Sequence, residues 1–183
     1  MTRRTQLELA RDLDKVLFSA EQIAARVREL GEQVAQDYAD RPPLLVGILC
    51  GCFPFLADLV RSIDLPLRVD FMGLSSYGDD TASSGVVRTT KDLERSIEGE
   101  HVLVVEDIVD TGLTMRYLLD NLRTRRPASL EVCALLHKPG PQALPVRYVG
   151  FPCPDAFVVG YGLDYAGRYR NLPMIGSLRS HAR

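Results

Sequence analysis

The residues with the most chemical potential lie in one segment, HVLVVEDIVDTGLTM, running from His101 to Met115. Adjacent carboxylates at Glu106 and Asp107 can accept hydrogen bonds from a vicinal diol, directly or through a divalent metal that favours hard oxygen ligands. Asp110, Thr111, Gly112 and Thr114 follow where the apolar pattern passes from strand to helix. A helix entering at about Leu113 turns its free backbone N–H groups and the positive end of its dipole toward that turn. Thr111, Gly112 and Thr114 then cradle a phosphate with amides and hydroxyls, and the glycine allows the backbone to come close. A phosphate at one end and a diol at the other suit a ribose phosphate. The plainer alternative has Asp110 and Thr111 capping the helix while Glu106 and Asp107 are solvated at the strand end, but capping needs only one such residue. Other motifs are missing from the chain: no G-x-x-x-x-G-K-[ST], no G-x-G-x-x-G after the first strand, no G-x-S-x-G and no H-E-x-x-H.

Such a loop needs rigid elements to aim it. The run HVLVVED is apolar enough for a strand covered on both faces, and LLVGIL, Leu44 to Leu49, is apolar at every position. Ser19 and Gln22 form a capping box ahead of apolar residues at Ile23, Val27, Leu30, Val34 and Tyr38, a helix that Arg41-Pro42-Pro43 stops. Phe53-Pro54 opens a second helix, FPFLADLVRSI, with the proline in its first turn. Strands are expected around LRVDFMGL, SLEVCALLHK and FVVGYGLD, and Met115, Leu118, Leu119 and Leu122 should face inward from the helix after the polar loop. Alternating strands and helices imply right-handed crossovers and a mostly parallel α/β sheet with ligands at the strands' carboxyl ends. SSYGDDTASSG, residues 75–85, carries no hydrophobic period and is expected to be a mobile surface loop.

The whole chain, 183 residues with 46% hydrophobic content, fits one domain, 1–183, with a self-sufficient core. Its 22 Lys and Arg against 24 Asp and Glu leave a formal charge of −2, which argues against a nucleic-acid or membrane surface built on bulk electrostatics. The four cysteines, Cys50, Cys52, Cys133 and Cys153, show no C-x-x-C spacing. With no apolar leader in MTRRTQLELARDLDK and no long apolar run, a cytoplasmic protein is expected.

VVEDIVDTGLT resembles the phosphoribosyl-diphosphate signature of type I phosphoribosyltransferases. From GILCGCFPFLADLVR through LSSYGDD to FVVGYGLDYAGRYRNLP the chain is similar to the hypoxanthine-guanine branch of that family. The resemblance implies a single-domain fold with helices flanking the sheet and a small hood built from the N-terminal segment and residues from about 140 to 183. It also implies transfer of 5-phosphoribose from its diphosphate to hypoxanthine or guanine, with Mg²⁺ as cofactor, in a homodimer or homotetramer. By position, Glu106 and Asp107 correspond to the ribose and metal carboxylates, Thr111, Gly112, Leu113 and Thr114 to the 5-phosphate loop, and Asp110 to the acid or base at purine nitrogen 7. Lys138 matches the donor to the 6-oxo group, Phe157 the ring stacked on the base, and Val158 a backbone reader of its edge. Asp164 matches a carboxylate beside the base and in the magnesium shell, while Arg170 matches a diphosphate ligand, with Arg168 as a second candidate. Ser76 and Tyr77 match the lid, which places residues 75–85 as the active-site loop.

The chain leaves the pattern at Cys50. Family members commonly carry Lys-Gly before the second helix, where backbone amides meet the diphosphate, and here Cys50-Gly51 stands instead. A buried, inert thiol is expected there, with an oxidant-sensitive loop or a silent subunit as the alternatives. Two further readings stay open at this level. One is a transferase preferring xanthine or another base. The other is an RNA-binding regulator on the same fold, for which Arg123, Arg125 and Arg126 form the best candidate patch.

Overall fold

The computed structural model describes residues 5–76, 87–110, 112–138, 144–153 and 156–179. Ser19 caps helix α2, Ala20–Asp37, through the expected box: Gln22 N donates to Ser19 Oγ at 3.3 Å, and Ser19 N donates to Gln22 Oε1 at 2.8 Å. This helix ends before the Arg41-Pro42-Pro43 stop, at a Tyr38 C-cap. Ahead of it come a short helix α1, Gln6–Ala10, and strand β1, Leu13–Phe18. Strand β2, Leu44–Leu49, leads into helix α3, Phe53–Ser62, and then to strand β3, Arg68–Ser76. Strands β4, Val87–Lys91, and β5, His101–Val109, precede helix α4, Leu113–Thr124. The chain finishes with β6, Ser129–His137, β7, Tyr148–Pro152, β8, Val158–Val159, and β9, Ile175–Leu178.

Among the described residues the main sheet has the order β4-β3-β2-β5-β6-β7, parallel except for β4. Period-two alternation sorts its side chains onto two faces. Leu45, Leu103, Val105, Cys133 and Leu135 pack with α2 and α3, whereas Val46, Val102, Val104, Val132 and Ala134 pack with α4. Burial on both sides is why β2 throughout, and β5 from Val102 to Val105, carry apolar residues. A second sheet, β1-β9-β8, is antiparallel and joins the two ends of the chain, Leu13 opposite Leu178 and Phe18 opposite Ile175.

Several elements differ from the sequence expectation. Ser75 and Ser76 extend β3 and pair with Arg88 and Val87 of β4, so two residues assigned to the polar loop are strand. The rest of that loop, Tyr77 included, lies outside the described residues. FVVGYGLD holds only the two-residue β8, because Gly160, Tyr161 and Gly162 all take positive φ and end the extended backbone. Strand β7 pairs with β6 along an edge, and no helix of the described residues separates them.

The site follows from the strand order. β2 has β3 on one side and β5 on the other, so successive crossovers leave in opposite directions and open a crevice at their carboxyl ends. Pairing of β2 with β5 stops at Gly47 opposite Val105, although β5 stays paired with β6 as far as Val109.

Candidate active site

Where β2 and β5 part, the Glu106–Asp107 pair meets the turn after β2. Asp107 is buried, its Oδ1 accepts from Ile108 N at 2.9 Å, and a Cβ built on Gly51 would stand 1.7 Å from Asp107 Oδ2. Any side chain at 51 therefore displaces that carboxylate. Burial and the adjacent Asp107 carboxylate push the Glu106 carboxyl well above the ordinary range. The Leu49–Cys50 peptide is cis, and Phe53 N donates to Cys50 O at 3.3 Å as the chain enters α3. Cys50 is exposed, contrary to the expectation of a buried thiol, since the strand has already left the sheet at that point. Cys52, one residue beyond Gly51, is the buried one, and burial raises its thiol pKa.

The N-terminus of α4 borders the same crevice. Its N-cap is Gly112 at φ 77°, a left-handed conformation that glycine accepts readily, with no side-chain cap and no acidic residue in the first turn. Asp110 does not cap it. The backbone amides of the first turn and the positive dipole end are thus left for an anion. A cleft of about 310 Å³ forms here, bordered by Glu106, Asp110, Gly112 and Thr114 over an apolar floor that includes Ile48 and Met115. Thr111 and the side chain of Leu113 lie outside the described residues, as does that of Ser76.

A second cavity of about 530 Å³ shares Ile108 and Asp110 with the first and is otherwise walled by Asp107, Lys138, Phe157, Val158 and Asp164, among others. Lys138 reaches it because Lys138 N continues the β5–β6 ladder to Val109 O at 2.9 Å, which sets its ammonium 3.4 Å from Asp110 Oδ2. Phe157 is held by Leu178 N, which donates to its carbonyl at 3.2 Å, and by an edge-on contact with Tyr165 at 5.5 Å between centroids. Its ring remains 41% exposed, an apolar surface presented to the cavity rather than to the core.

On the far wall, Arg170 Nη2 lies 2.7 Å from Asp164 Oδ1 and Nη1 donates to Gly162 O at 2.6 Å, while Gly167 N donates to Asp164 Oδ2 at 2.8 Å. Asp164 shares the second cavity's wall with Asp107. Among the described residues no three His, Cys, Asp or Glu gather into a metal cluster, and Asp164 is engaged by Arg170 and Gly167. Arg168 is exposed on the same turn, its N donating to Tyr165 O at 3.0 Å.

Sequence reasoning missed the role of the Gly160-Tyr161-Gly162 turn. A Cβ at Gly162 would meet Gly51 O at 2.0 Å, so Gly51 is held between this turn and Asp107. The G-x-G spacing after the apolar run carried that signal. The arginines of the candidate RNA patch are all paired: Arg123 with Asp120 at 2.8 Å, Arg125 with Asp92 at 2.7 Å and Arg126 with Glu98 at 2.8 Å. Each of the three thus has a carboxylate beside it at the surface.

Comparison with known proteins gives a consistent result. Residues 15–166 match the phosphoribosyl transferase domain family. The chain is 51% identical over 170 residues to the hypoxanthine-guanine phosphoribosyltransferase of Bacillus subtilis (strain 168), covering 92% of this chain and 94% of that protein. It is 51% identical over 175 residues to the enzyme of the same name from Mycobacterium tuberculosis (strain ATCC 25618 / H37Rv), with 91% and 87% covered. A crystal structure of a hypoxanthine phosphoribosyltransferase from Staphylococcus aureus superposes with a TM-score of 0.91 at 45% identity, covering 95% of this chain and 96% of that one.

Proposed function

The chain belongs to the phosphoribosyl transferase domain family, and from that premise we propose that it moves 5-phosphoribose from 5-phosphoribosyl 1-diphosphate to hypoxanthine or guanine, releasing diphosphate in purine salvage. The observation that carries the reading is the pair of cavities meeting at Asp110, one suited to a sugar phosphate and the other to a flat 6-oxo base. The 5-phosphate sits on the first-turn amides of α4 and the hydroxyl of Thr114, with Thr111 and Leu113 completing the loop. Glu106 and Asp107 hold the ribose hydroxyls.

The base lies against the Phe157 ring, its edge read by the Val158 backbone and its oxo oxygen by the Lys138 ammonium. An ammonium donates and cannot accept, so an oxo base fits and adenine's amino group does not. Asp110, beside that ammonium, exchanges the proton at nitrogen 7 as the new glycosidic bond forms. Positive charge builds on the sugar during transfer, and the leaving diphosphate is held by the backbone of Cys50 and Gly51 and by the Arg170 fork. Ser76 and Tyr77 belong to a lid that excludes water.

The residues present fit a divalent cation. Two adjacent carboxylates, one pushed toward protonation by the other and by burial, are hard oxygen donors whose crowding a hard cation would relieve. Glu106 and Asp107 would hold Mg²⁺, and Asp164 would offer a further carboxylate. The chemistry such a cation would supply is neutralisation of charge on the diphosphate. The same reading takes the protein as a cytoplasmic homodimer or homotetramer. No helix among the described residues is long and apolar enough to cross a membrane.

The test is a spectrophotometric assay of phosphoribosyl diphosphate and magnesium with hypoxanthine, guanine, xanthine and adenine in turn. Turnover with hypoxanthine and guanine and little with adenine is expected. Silence with all four would overturn the reading, and a clear preference for xanthine would reassign the base.

A further inference from the structure

Building on the function proposed above, we propose that Tyr161 and Asp58 form a positioning pair that ties the base-side turn to the diphosphate-side loop and thereby sets affinity for the diphosphate end of the substrate. Tyr161 stands at φ 47° between Gly160 at φ 103° and Gly162 at φ 101°. A left-handed backbone disfavours a bulky L residue, and such outliers persist where surrounding contacts over-determine them. What the tyrosine adds over a glycine is reach. Its ring is buried, and its hydroxyl donates to Asp58 Oδ2 at 2.5 Å on α3. Burial and that carboxylate raise the phenol pKa, so it remains a donor throughout the physiological range.

Helix α3 is continuous with the Cys50–Cys52 turn. The next residue of the base-side segment, Gly162, touches that turn directly: a Cβ there would stand 2.0 Å from Gly51 O and 2.9 Å from Pro54 Cδ. Gly51 in turn leaves no room before Asp107 Oδ2. Gly162 also exchanges two hydrogen bonds with Arg170, Arg170 Nη1 to Gly162 O at 2.6 Å and Gly162 N to Arg170 O at 2.9 Å. One hydroxyl thus fixes the residue against which both the Gly51 amide and the Arg170 guanidinium are registered. Lys138 and Asp110 are carried by the β5–β6 ladder instead.

The asymmetry makes the idea testable. Tyr161→Phe removes one oxygen and keeps the ring. Expected is a rise of about tenfold in KM for phosphoribosyl diphosphate and in Kd for inorganic diphosphate with magnesium, the scale of one hydrogen bond to a charged group. KM for hypoxanthine and kcat should move less than about twofold on the same scale. Asp58→Ala should reproduce the effect, and the double variant should be no worse than either single, as coupled partners require. Equal rises for both substrates, an additive double variant, or an unchanged diphosphate Kd would each overturn the pair. Should Tyr161→Phe fail to fold, Asp58→Ala carries the same measurements. Diphosphate titration is independent of turnover, so it tests the pair even if the wild-type protein showed no transferase activity, which would be a failure of the functional reading alone.

Discussion

The two ends of the parallel sheet handle charge in opposite ways. At the amino ends of β5, β6 and β7, most polar groups meet complementary partners, the buried Tyr38 hydroxyl beside His101 being the exception. Arg147 lies 2.9 Å from Asp37 and 3.6 Å from Glu131, the Tyr148 hydroxyl donates to Asp37 at 2.7 Å, and His101 Nδ1 is 2.8 Å from Ser129 Oγ. At the carboxyl ends two carboxylates adjoin, a helix N-terminus lacks a side-chain cap, and an aromatic ring faces an open cavity. Opposite charges in contact at an exposed surface stabilise only modestly. Crowded like charges and uncapped amides cost stability, and a cation or a phosphate offsets that cost. The comparison teaches where to look for chemistry: in polar groups whose best partner is absent from the protein itself.

If that division is correct, substitutions at the carboxyl end change rates and leave stability, and those at the amino end do the reverse. The largest effect is expected from Asp110→Asn. Its carboxylate is exposed and contacts Lys138 at 3.4 Å, so the fold should hold while kcat falls by about 10²- to 10⁴-fold, the usual worth of a general acid or base. Steady-state kinetics beside a thermal melt would check it, and undiminished kcat would remove Asp110 from the mechanism. Next in size is Lys138→Gln. Loss of a charged donor to the oxo group should lower kcat/KM for hypoxanthine and guanine by about 10- to 100-fold and narrow the margin over adenine. An equal loss on all bases would mean that Lys138 acts through Asp110 rather than on the purine.

How far each end could be read from sequence depended on how local its physics is. The β5 loop was legible because a buried strand, adjacent carboxylates, a left-handed glycine and a helix start all fall within fifteen positions of each other, and each has its own composition cue. Gly51 between Asp107 and Gly162 was not legible, since three segments far apart in sequence meet there and no single window contains them. FVVGYGLD misled for a related reason. Its apolar run has the composition of a strand, whereas close approach of Gly162 to Gly51, and of Gly160 to Met174 O, dictates a tight turn instead. Cys50 looked like a core thiol because β2 is buried throughout its interior, but burial ends where β2 loses its β5 partner. The lid residues Ser76 and Tyr77 are assigned by resemblance alone.

The smallest predicted effect tests the amino end. Hydrogen bonds from Tyr148 and Arg147 lower the Asp37 carboxyl below its ordinary value. A carboxyl that is lower in the folded state stabilises the protein above its unfolded pKa of about 3.9, and loses that contribution as pH falls through the lower folded value. The side chain is 40% exposed, so solvent screening keeps the contribution small. Asp37→Ala should therefore cost about 0.5–1 kcal/mol at pH 7, or about 1–3 °C in Tm for a chain of this size. Melting curves of variant and wild type should begin to approach each other as pH falls below about 4 and meet only below the lower folded value, because only the wild type has this carboxyl to protonate. kcat and both KM values should be unchanged at pH 7. A fall in kcat with little loss of Tm would mean that the paired charges at the amino end transmit to the site, and the division between the two ends of the sheet would have to be abandoned.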